Sequence, residues 1–379
     1  MLLYYRRTYM VLSHCLAIIL WLPLRIANKL LNPGRRTASP PKKILIQDGY
    51  FLGDLLLLSH ALKSIRAAFP ESQVHLLAQP AGCELLRNSG WIDKFITFSP
   101  PWSFKQPLCG AIRAVLSCIR TLRIEHYDLA IDFHGEVRGL ALLFFCTIPF
   151  RISFSDFGGR PWCTASYATP KHAVQQMKRS MYLVQRITGR DAGTSDFPLW
   201  PLFTKSDVPT EQQKTAGGGD AGRGGIILIH PATANPDKQW PAACFTELID
   251  MLDIQQSPSI TLVGGKEDKT ILDAIIAGVK RPCRIVYPTF AELEQLLRKA
   301  RLLVCLDSFC QHAASSLGTP VVGIYGPSKP YYSAPQAGPI SIVWNDRILR
   351  PPYAGYDGPR SMAASTARTV FSAINESLE

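Results

Sequence analysis

The stretch Leu302-Leu-Val-Cys-Leu-Asp-Ser-Phe-Cys-Gln-His312-Ala-Ala-Ser-Ser-Leu-Gly-Thr-Pro320-Val-Val-Gly-Ile-Tyr325 decides the fold class. Leu302–Leu306 is a short apolar run with β-branched and leucine side chains, which reads as a buried strand. Asp307 and Ser308 mark a turn into a helix over Gln311–Leu317, and the apolar run Val321–Tyr325 then opens a second strand. Strand, helix, strand in this order is the unit of a parallel sheet.

The same alternation extends in both directions. Downstream of Lys43 the chain offers strands at Ile44–Gln47, Val74–Ala78, Lys94–Phe98 and Leu129–Phe133. Helical spacing over Asp54–Phe69, ended by Pro70, and over Leu108–Arg123 separates them. A second series has strands at Ile226–His230, Ile260–Val263, Leu302–Leu306 and Val321–Tyr325, with helices at Pro241–Leu252, Lys269–Ala277, Ala291–Ala300 and Gln311–Leu317. A chain of 379 residues also exceeds what one core fills. The expected architecture is α/β: two doubly wound, Rossmann-like lobes facing a cleft, plus an N-terminal hydrophobic segment. The divisions are 1–40 for that segment, 41–210 for the first lobe, 211–225 for a linker, 226–358 for the second lobe and 359–379 for a C-terminal helix.

The linker is the Gly-rich run Ala216–Gly225. It contains G-x-G-x-x-G at Gly217, Gly219 and Gly222, but polar residues precede it and a strand follows, so the dinucleotide fingerprint is rejected. Near the start, Val11–Leu24 is apolar and flanked by Arg6, Arg7, Arg25 and Lys29. It is short for a span, and Pro23 disturbs its end. A shallow membrane-contacting helix is expected, with a helix packed on the body of the protein as the alternative; Arg35, Arg36, Lys42 and Lys43 add attraction to anionic lipid.

The formal charge of +12 suits an anionic partner. No zinc-finger spacing or RNA-binding signature is present, which disfavours nucleic acid. The ten cysteines contain no C-x-x-C and read as reduced, mostly buried residues.

Ligands of doubly wound sheets bind at the carboxyl ends of strands, so the loops there carry the candidates. Asp54 suits two jobs, helix N-cap, the commoner, or general base toward a sugar hydroxyl. In His230–Pro241, Thr233 and Lys238 reach toward the cleft, Lys238 as a point charge for phosphate. Glu267 suits ribose hydroxyls or the start of a helix. At Asp307, Ser308 and His312 a strand end meets a helix N-terminus, an anion site fit for pyrophosphate, with capping and packing as the plainer roles.

From Lys43 to about Pro335 the sequence resembles the ADP-heptose:lipopolysaccharide heptosyltransferases, glycosyltransferase family 9 of GT-B fold. The matching stretches are Leu52-Gly-Asp-Leu-Leu-Leu-Leu with Ala61-Leu62, Tyr127-Asp-Leu-Ala-Ile-Asp132 with Gly135 and Arg138, and His172-Ala-Val174. They continue through His230-Pro231, Lys238-Gln-Trp-Pro241, Gly264-Gly265, Asp307-Ser308 with His312-Ala-Ala, Leu317-Gly-Thr-Pro320 and Tyr325-Gly-Pro327. The resemblance implies a metal-independent, inverting transfer of heptose from an ADP-sugar to the lipopolysaccharide core, at the cytoplasmic face of a bacterial inner membrane. The donor is a substrate and no cofactor is implied. By matching position Asp54 is the general base, Thr233 and Lys238 hold phosphate, Glu267 holds ribose, and Asp307, Ser308 and His312 complete the donor site. His134 and Arg138 are assigned to the acceptor.

Three departures stand out. Phe309 occupies a place where the family usually has glycine, which bears on donor geometry. Tyr50-Phe51 replace small or hydroxyl residues, pointing to a different acceptor surface. Ala234 and Asn235 stand where some members place a hydroxyl and a basic residue, which leaves the donor sugar open. The readings set against a transferase are a degenerate nucleotide-sugar-binding protein, motivated by Phe309, and a sugar-nucleotide epimerase.

Overall fold

The computed structural model describes Pro23, Ile26 and residues 40–48, 51–102, 108–170, 175–191, 198–200, 225–252, 259–336, 338–351, 353 and 361–379. The apolar run Val11–Leu24 apart from Pro23, the Gly-rich stretch before Gly225, Tyr50 and His172 lie outside them. Among the described residues no helix is long and apolar enough to cross a membrane. The chain divides into two compact units, Met1–Thr194 and Ser195–Glu379.

In the first unit the strands are β1 (Lys43–Gln47), β2 (Gln73–Ala78), β3 (Lys94–Thr97), β4 (Leu129–Asp132), β5 (Phe150–Phe154) and β6 (Ala165–Tyr167). They form one parallel sheet in the order β3-β2-β1-β4-β5-β6. Its helices are α1 (Leu52–Leu57), α2 (Ser59–Ala68), α3 (Pro80–Leu86), α4 (Leu108–Ile124), α5 (Val137–Phe145) and α6 (Gln176–Thr188). Side chains alternate across β1. Ile44 and Ile46 join a core with Leu62 and Ile65 of α2 and Leu183 and Val184 of α6, whereas Leu45 joins Leu122 of α4 and Leu140 and Leu143 of α5. A strand apolar on both faces needs helices on both faces, and the sheet is therefore doubly wound.

The helix expected over Asp54–Phe69 is two. At Leu58 the amide N–H is shared between the carbonyls of Asp54 (3.2 Å) and Leu55 (3.1 Å), a tight turn that ends α1 before α2 begins.

The second unit repeats the plan with β7 (Ile226–His230), β8 (Ser259–Val263), β9 (Arg284–Val286), β10 (Ala300–Leu306), β11 (Val321–Tyr325), β12 (Ile340–Trp344) and β13 (Arg347–Leu349). Their order is β13-β12-β11-β10-β7-β8-β9, parallel except for the antiparallel edge strand β13. Its helices are α7 (Ala242–Met251), α8 (Lys269–Gly278), α9 (Phe290–Lys299), α10 (Phe309–Ser316), α11 (Pro330–Ser333) and α12 (Ala367–Leu378). Leu248 and Ile249 of α7, Leu272 and Ile275 of α8, and Val370 and Ile374 of α12 share one core with Ile227 and Ile229 of β7.

Two boundaries differ from the sequence division. Trp200, placed there in the first lobe, belongs to the second unit, where its indole N–H donates to Glu294 (2.8 Å). The C-terminal helix is a layer of that unit's core rather than a separate segment.

Counted from their own first strands, the sheets run 3-2-1-4-5-6 in the first unit and 3-2-1-4-5-6-7 in the second, where the seventh is the antiparallel edge strand β13. In this order the connections leave strands 1 and 4 toward opposite faces, and a crevice opens between their carboxyl ends. That point lies between β1 and β4 in the first unit and between β7 and β10 in the second, with Gln47 opposite Asp132 and His230 opposite Cys305.

Candidate active site

In the second unit the loop after β7 is fixed from behind. Trp240 is fully buried, donates to the Ser365 carbonyl (2.9 Å) and packs edge-on against Phe245. The Gln239 side-chain amide bonds the carbonyls of Pro231 (2.7 Å) and Trp240 (2.9 Å). A short 3-10 turn, Pro236–Lys238, follows Asn235, whose side chain accepts from the Asp237 amide. Lys238 thus projects from a pinned loop, and its ammonium pairs with Asp307 Oδ2 at 2.5 Å. The Thr233 hydroxyl accepts from the Asn235 amide (3.4 Å), helping to shape the same loop.

Asp307 directly follows β10. Its other oxygen accepts from Gln311 (3.0 Å) and Ser333 (3.4 Å), and Gln311 in turn accepts from the buried Tyr325 hydroxyl (2.9 Å). Burial works to raise the Asp307 carboxyl, but the ammonium of Lys238 outweighs it and holds it below its ordinary value. Asp307 is therefore a carboxylate that aims a lysine. It is not a helix cap.

Ser308 occupies the N-cap position of α10, yet its side chain makes no capping bond; its hydroxyl faces His230 Nδ1 at 3.3 Å. The first amides of α10 are thus not occupied by the Ser308 hydroxyl, which leaves the positive end of the helix suited to an anion. His312 is buried in α10 with Nδ1 unpartnered, and burial pushes its ring, like that of His230, down to about 4. Both rings are neutral near pH 7 and supply hydrogen-bonding capacity without charge.

Phe309 turns aside from this end. Its ring lies 6.0 Å from Trp200 and 5.8 Å from Phe290, centroid to centroid, in an aromatic cluster. Glu267 is exposed in the 3-10 turn Lys266–Asp268 after β8, folded back so that a Cβ on Gly265 would strike its carboxylate.

In the first unit the strand ends gather carboxylates around one histidine. Asp132, fully buried at the end of β4, accepts from the amides of Gly135 (2.6 Å) and His134 (3.1 Å) and from the Ser153 hydroxyl (2.7 Å). That turn needs Gly135 at φ +77°, where a Cβ would also strike the Phe154 carbonyl at 2.8 Å. His134 Nε2 bonds Asp48 Oδ1 at 3.1 Å. Burial would depress the imidazole, but the carboxylates of Asp48, Asp54 and Asp132 outweigh it and lift it to about 9.

Asp54 is the third residue of α1, and the N-cap is Phe51, which makes no side-chain bond. The capping role weighed for it does not occur. Burial raises its carboxyl above the ordinary 3.8, opposed chiefly by His134 and reinforced by Asp48. Arg138, paired in the sequence reading with His134 for an acceptor, is ion-paired with Glu136 and lies over the Trp102 ring at 5.6 Å.

Seven of the nine residues named from sequence therefore fall in two groups, with Glu267 in the turn after β8 and Arg138 beside Glu136 outside both. Lys238, Asp307, Ser308 and His312 collect between the ends of β7 and β10, with Thr233 on the same loop; Asp54 and His134 collect at the end of β1 and β4. Asp48, Gln311, Tyr325 and Ser333 were missed. Asp48 was legible as the residue directly after a strand, but Gln311, Tyr325 and Ser333 acquire a role only through contact with Asp307.

The model of "Glycosyltransferase family 9 (heptosyltransferase)" matches residues 115–352. The chain belongs to glycosyltransferase family 9. Its curated relatives include lipopolysaccharide heptosyltransferase 3 of Escherichia coli K12, 23% identical over 79% of this chain and 87% of that protein. Lipooligosaccharide heptosyltransferase 2 of Haemophilus ducreyi is 27% identical over 79% and 88%. Among solved structures, the family 9 glycosyltransferase of Veillonella parvula superposes with TM-score 0.68 at 19% identity, covering 89% of this chain and 97% of that one. E. coli heptosyltransferase WaaC with ADP gives 0.66 at 16%, covering 88% and 99%. The fold of this family 9 glycosyltransferase is accordingly GT-B, each unit being one of its parallel-sheet domains.

Proposed function

We propose that this family 9 glycosyltransferase moves a heptose from an ADP-sugar to a lipopolysaccharide core acceptor, with inversion and without a metal ion. The observation that carries the reading is the convergence of Lys238, Asp307 and the N-terminus of α10 at the β7/β10 switch point. In this scheme the donor diphosphate lies on the α10 amides with Lys238 beside it, and Thr233 and Glu267 contact phosphate and ribose. An acceptor hydroxyl gives its proton to Asp54 while its oxygen bonds the anomeric carbon. The bond from that carbon to the phosphate oxygen breaks, and ADP leaves with the electron pair. Lys238 and the helix end stabilise the charge growing on the leaving group, the work a metal does elsewhere. No cofactor beyond the donor is needed.

Support for the chemistry comes from the relatives that carry heptosyltransferase in their names and from the solved WaaC complex with ADP. The packing of Phe309 against Trp200 and Phe290 weighs against a degenerate binding protein, because the bulky ring is accommodated to the side of the helix end. The cytoplasmic face of the inner membrane is the proposed location, with an anionic lipid surface as a partner of the basic N-terminal segment.

Purified protein incubated with ADP-heptose and a panel of core acceptors, in the presence of EDTA, tests the reading by mass spectrometry. Donor-dependent mass gain on the acceptor, lost in Asp54→Ala, is expected. Nucleotide binding with no turnover on any donor and acceptor pair refutes it.

A further inference from the structure

We propose that His134, gripped by Asp48, is a positioning residue that sets a fixed positive charge against Asp54 and keeps that carboxylate ionised in its place. The inference rests on the reading of Asp54 as the base and goes beyond it by assigning the group that tunes it.

His134 is secured from both ends. Its backbone amide, with that of Gly135, is anchored on Asp132 Oδ1, and its ring is anchored on Asp48 Oδ1 at 3.1 Å. The ring is 12% exposed and the Asp48 side chain 1%. Such a side chain holds one orientation and is poorly placed to follow a large, mobile acceptor. Its electrostatic surroundings make the same point. Asp48 after β1, Asp54 in α1 and Asp132 at the end of β4 all act on the imidazole, and Glu136, ion-paired with Arg138 of α5, stands nearby. From α6, Arg179 donates to the Phe133 carbonyl (3.1 Å).

Several carboxylates withdrawn from water do not stay ionised together without a cation among them. Two of them, Asp48 at 2% and Asp132 at 0% exposure, lie too deep to meet a substrate, while Asp54 is only half-buried. The cluster is thus graded. Asp132 holds the turn, Asp48 holds the ring, the ring supplies charge, and Asp54, which also accepts a hydrogen bond from Gln176 of α6, is the least buried of the three carboxylates.

Three variants of the full chain, His134→Gln, His134→Lys and Asp54→Asn, test this. The measurements are kcat, donor KM and the pH profile of kcat/KM. In His134→Gln the acid limb should move up by about 1–3 pH units, the usual effect of one opposite charge on a carboxyl, with donor KM unchanged. His134→Lys, which restores charge without the ring, should bring the limb most of the way back. A limb that stays in place in His134→Gln, while Asp54→Asn is inert, overturns this inference alone. An active Asp54→Asn overturns both it and the base reading. Imidazole NMR of the unaltered protein gives an answer independent of how the variants fold: a doubly protonated His134 ring through neutral pH supports the proposal, and a ring titrating near 6.5 overturns it.

Discussion

Replacing Lys238 by alanine separates two roles that the structure combines in one side chain. The ammonium is the counter-ion of Asp307 at 2.5 Å and, in the proposed function, the point charge for the donor diphosphate. The side chains are 24% and 8% exposed, so the pair sits between the surface and the interior. Exposed pairs contribute about 0.2–1 kcal/mol, and stranding one member of a buried pair costs about 3–5 kcal/mol, which places the expected loss of stability at about 1–3 kcal/mol. Gln311 and Ser333 still bond the stranded carboxylate and keep the loss from the upper end. Loss of one charge-assisted hydrogen bond to phosphate costs about 1–3 kcal/mol of affinity, or about 5- to 150-fold in Kd. Calorimetry with ADP and the ADP-sugar reads the second effect, and chemical denaturation of the free protein reads the first. Lys238→Arg, which keeps the charge, should retain most of both. The acid dependence adds a check. Asp307 titrates below its ordinary 3.8, so its contribution to stability is complete above that pH and is lost as the pH falls through the depressed value. Lys238→Ala should flatten that loss. An unchanged Kd for ADP beside a lower stability would falsify the phosphate role and leave Lys238 as a structural counter-ion.

Asp54→Asn should abolish turnover with donor affinity retained; in the unaltered enzyme the acid limb of kcat/KM should lie above the ordinary carboxylate range, because Asp54 must lose its proton at a raised pKa. A limb near pH 4 contradicts the burial argument. Gly135→Ala should destabilise the first unit by about 2–4 kcal/mol, from positive-φ strain and a clash with the Phe154 carbonyl; wild-type melting behaviour counts against that account. Phe309→Gly should cost about 1–3 kcal/mol of stability through lost contacts with Trp200 and Phe290, yet leave ADP affinity within about threefold. A large change in affinity would place the ring in the donor site.

The sheet centres were legible because Ile226–Ile229 of β7, Leu302–Leu306 of β10 and Val321–Tyr325 of β11 are apolar runs beside turn residues, the signature of strands covered on both faces. Short edge strands were not. Arg284–Val286 and Ala165–Tyr167 lie at sheet borders and lack a core-facing pattern, and the half-buried Phe150 and the fully buried Arg151 begin a strand whose guanidinium is satisfied only by folding, through the Trp162 carbonyl. The donor-side residues could be named from their place between strand and helix. What position did not convey was pairing. Nothing in the spacing of Lys238 and Asp307, 69 residues apart, tells that one aims the other. Asp54 shows the opposite failure, since capping is the usual task of an aspartate at a helix start, and only the position of Phe51 at the cap removed it.

The shared strand order of the two sheets has one more implication. Twin folds offer twin crevices, and topology alone does not tell a nucleotide which to enter. Charge does the sorting. The first crevice surrounds one imidazolium with the carboxylates of Asp48, Asp54 and Asp132, a setting that repels phosphate. The second matches one ammonium to one carboxylate and adds the positive end of α10, a setting that admits it. Two related scaffolds are thereby made unequal by a few side chains, and in the proposed function the polyanionic donor has one address rather than two.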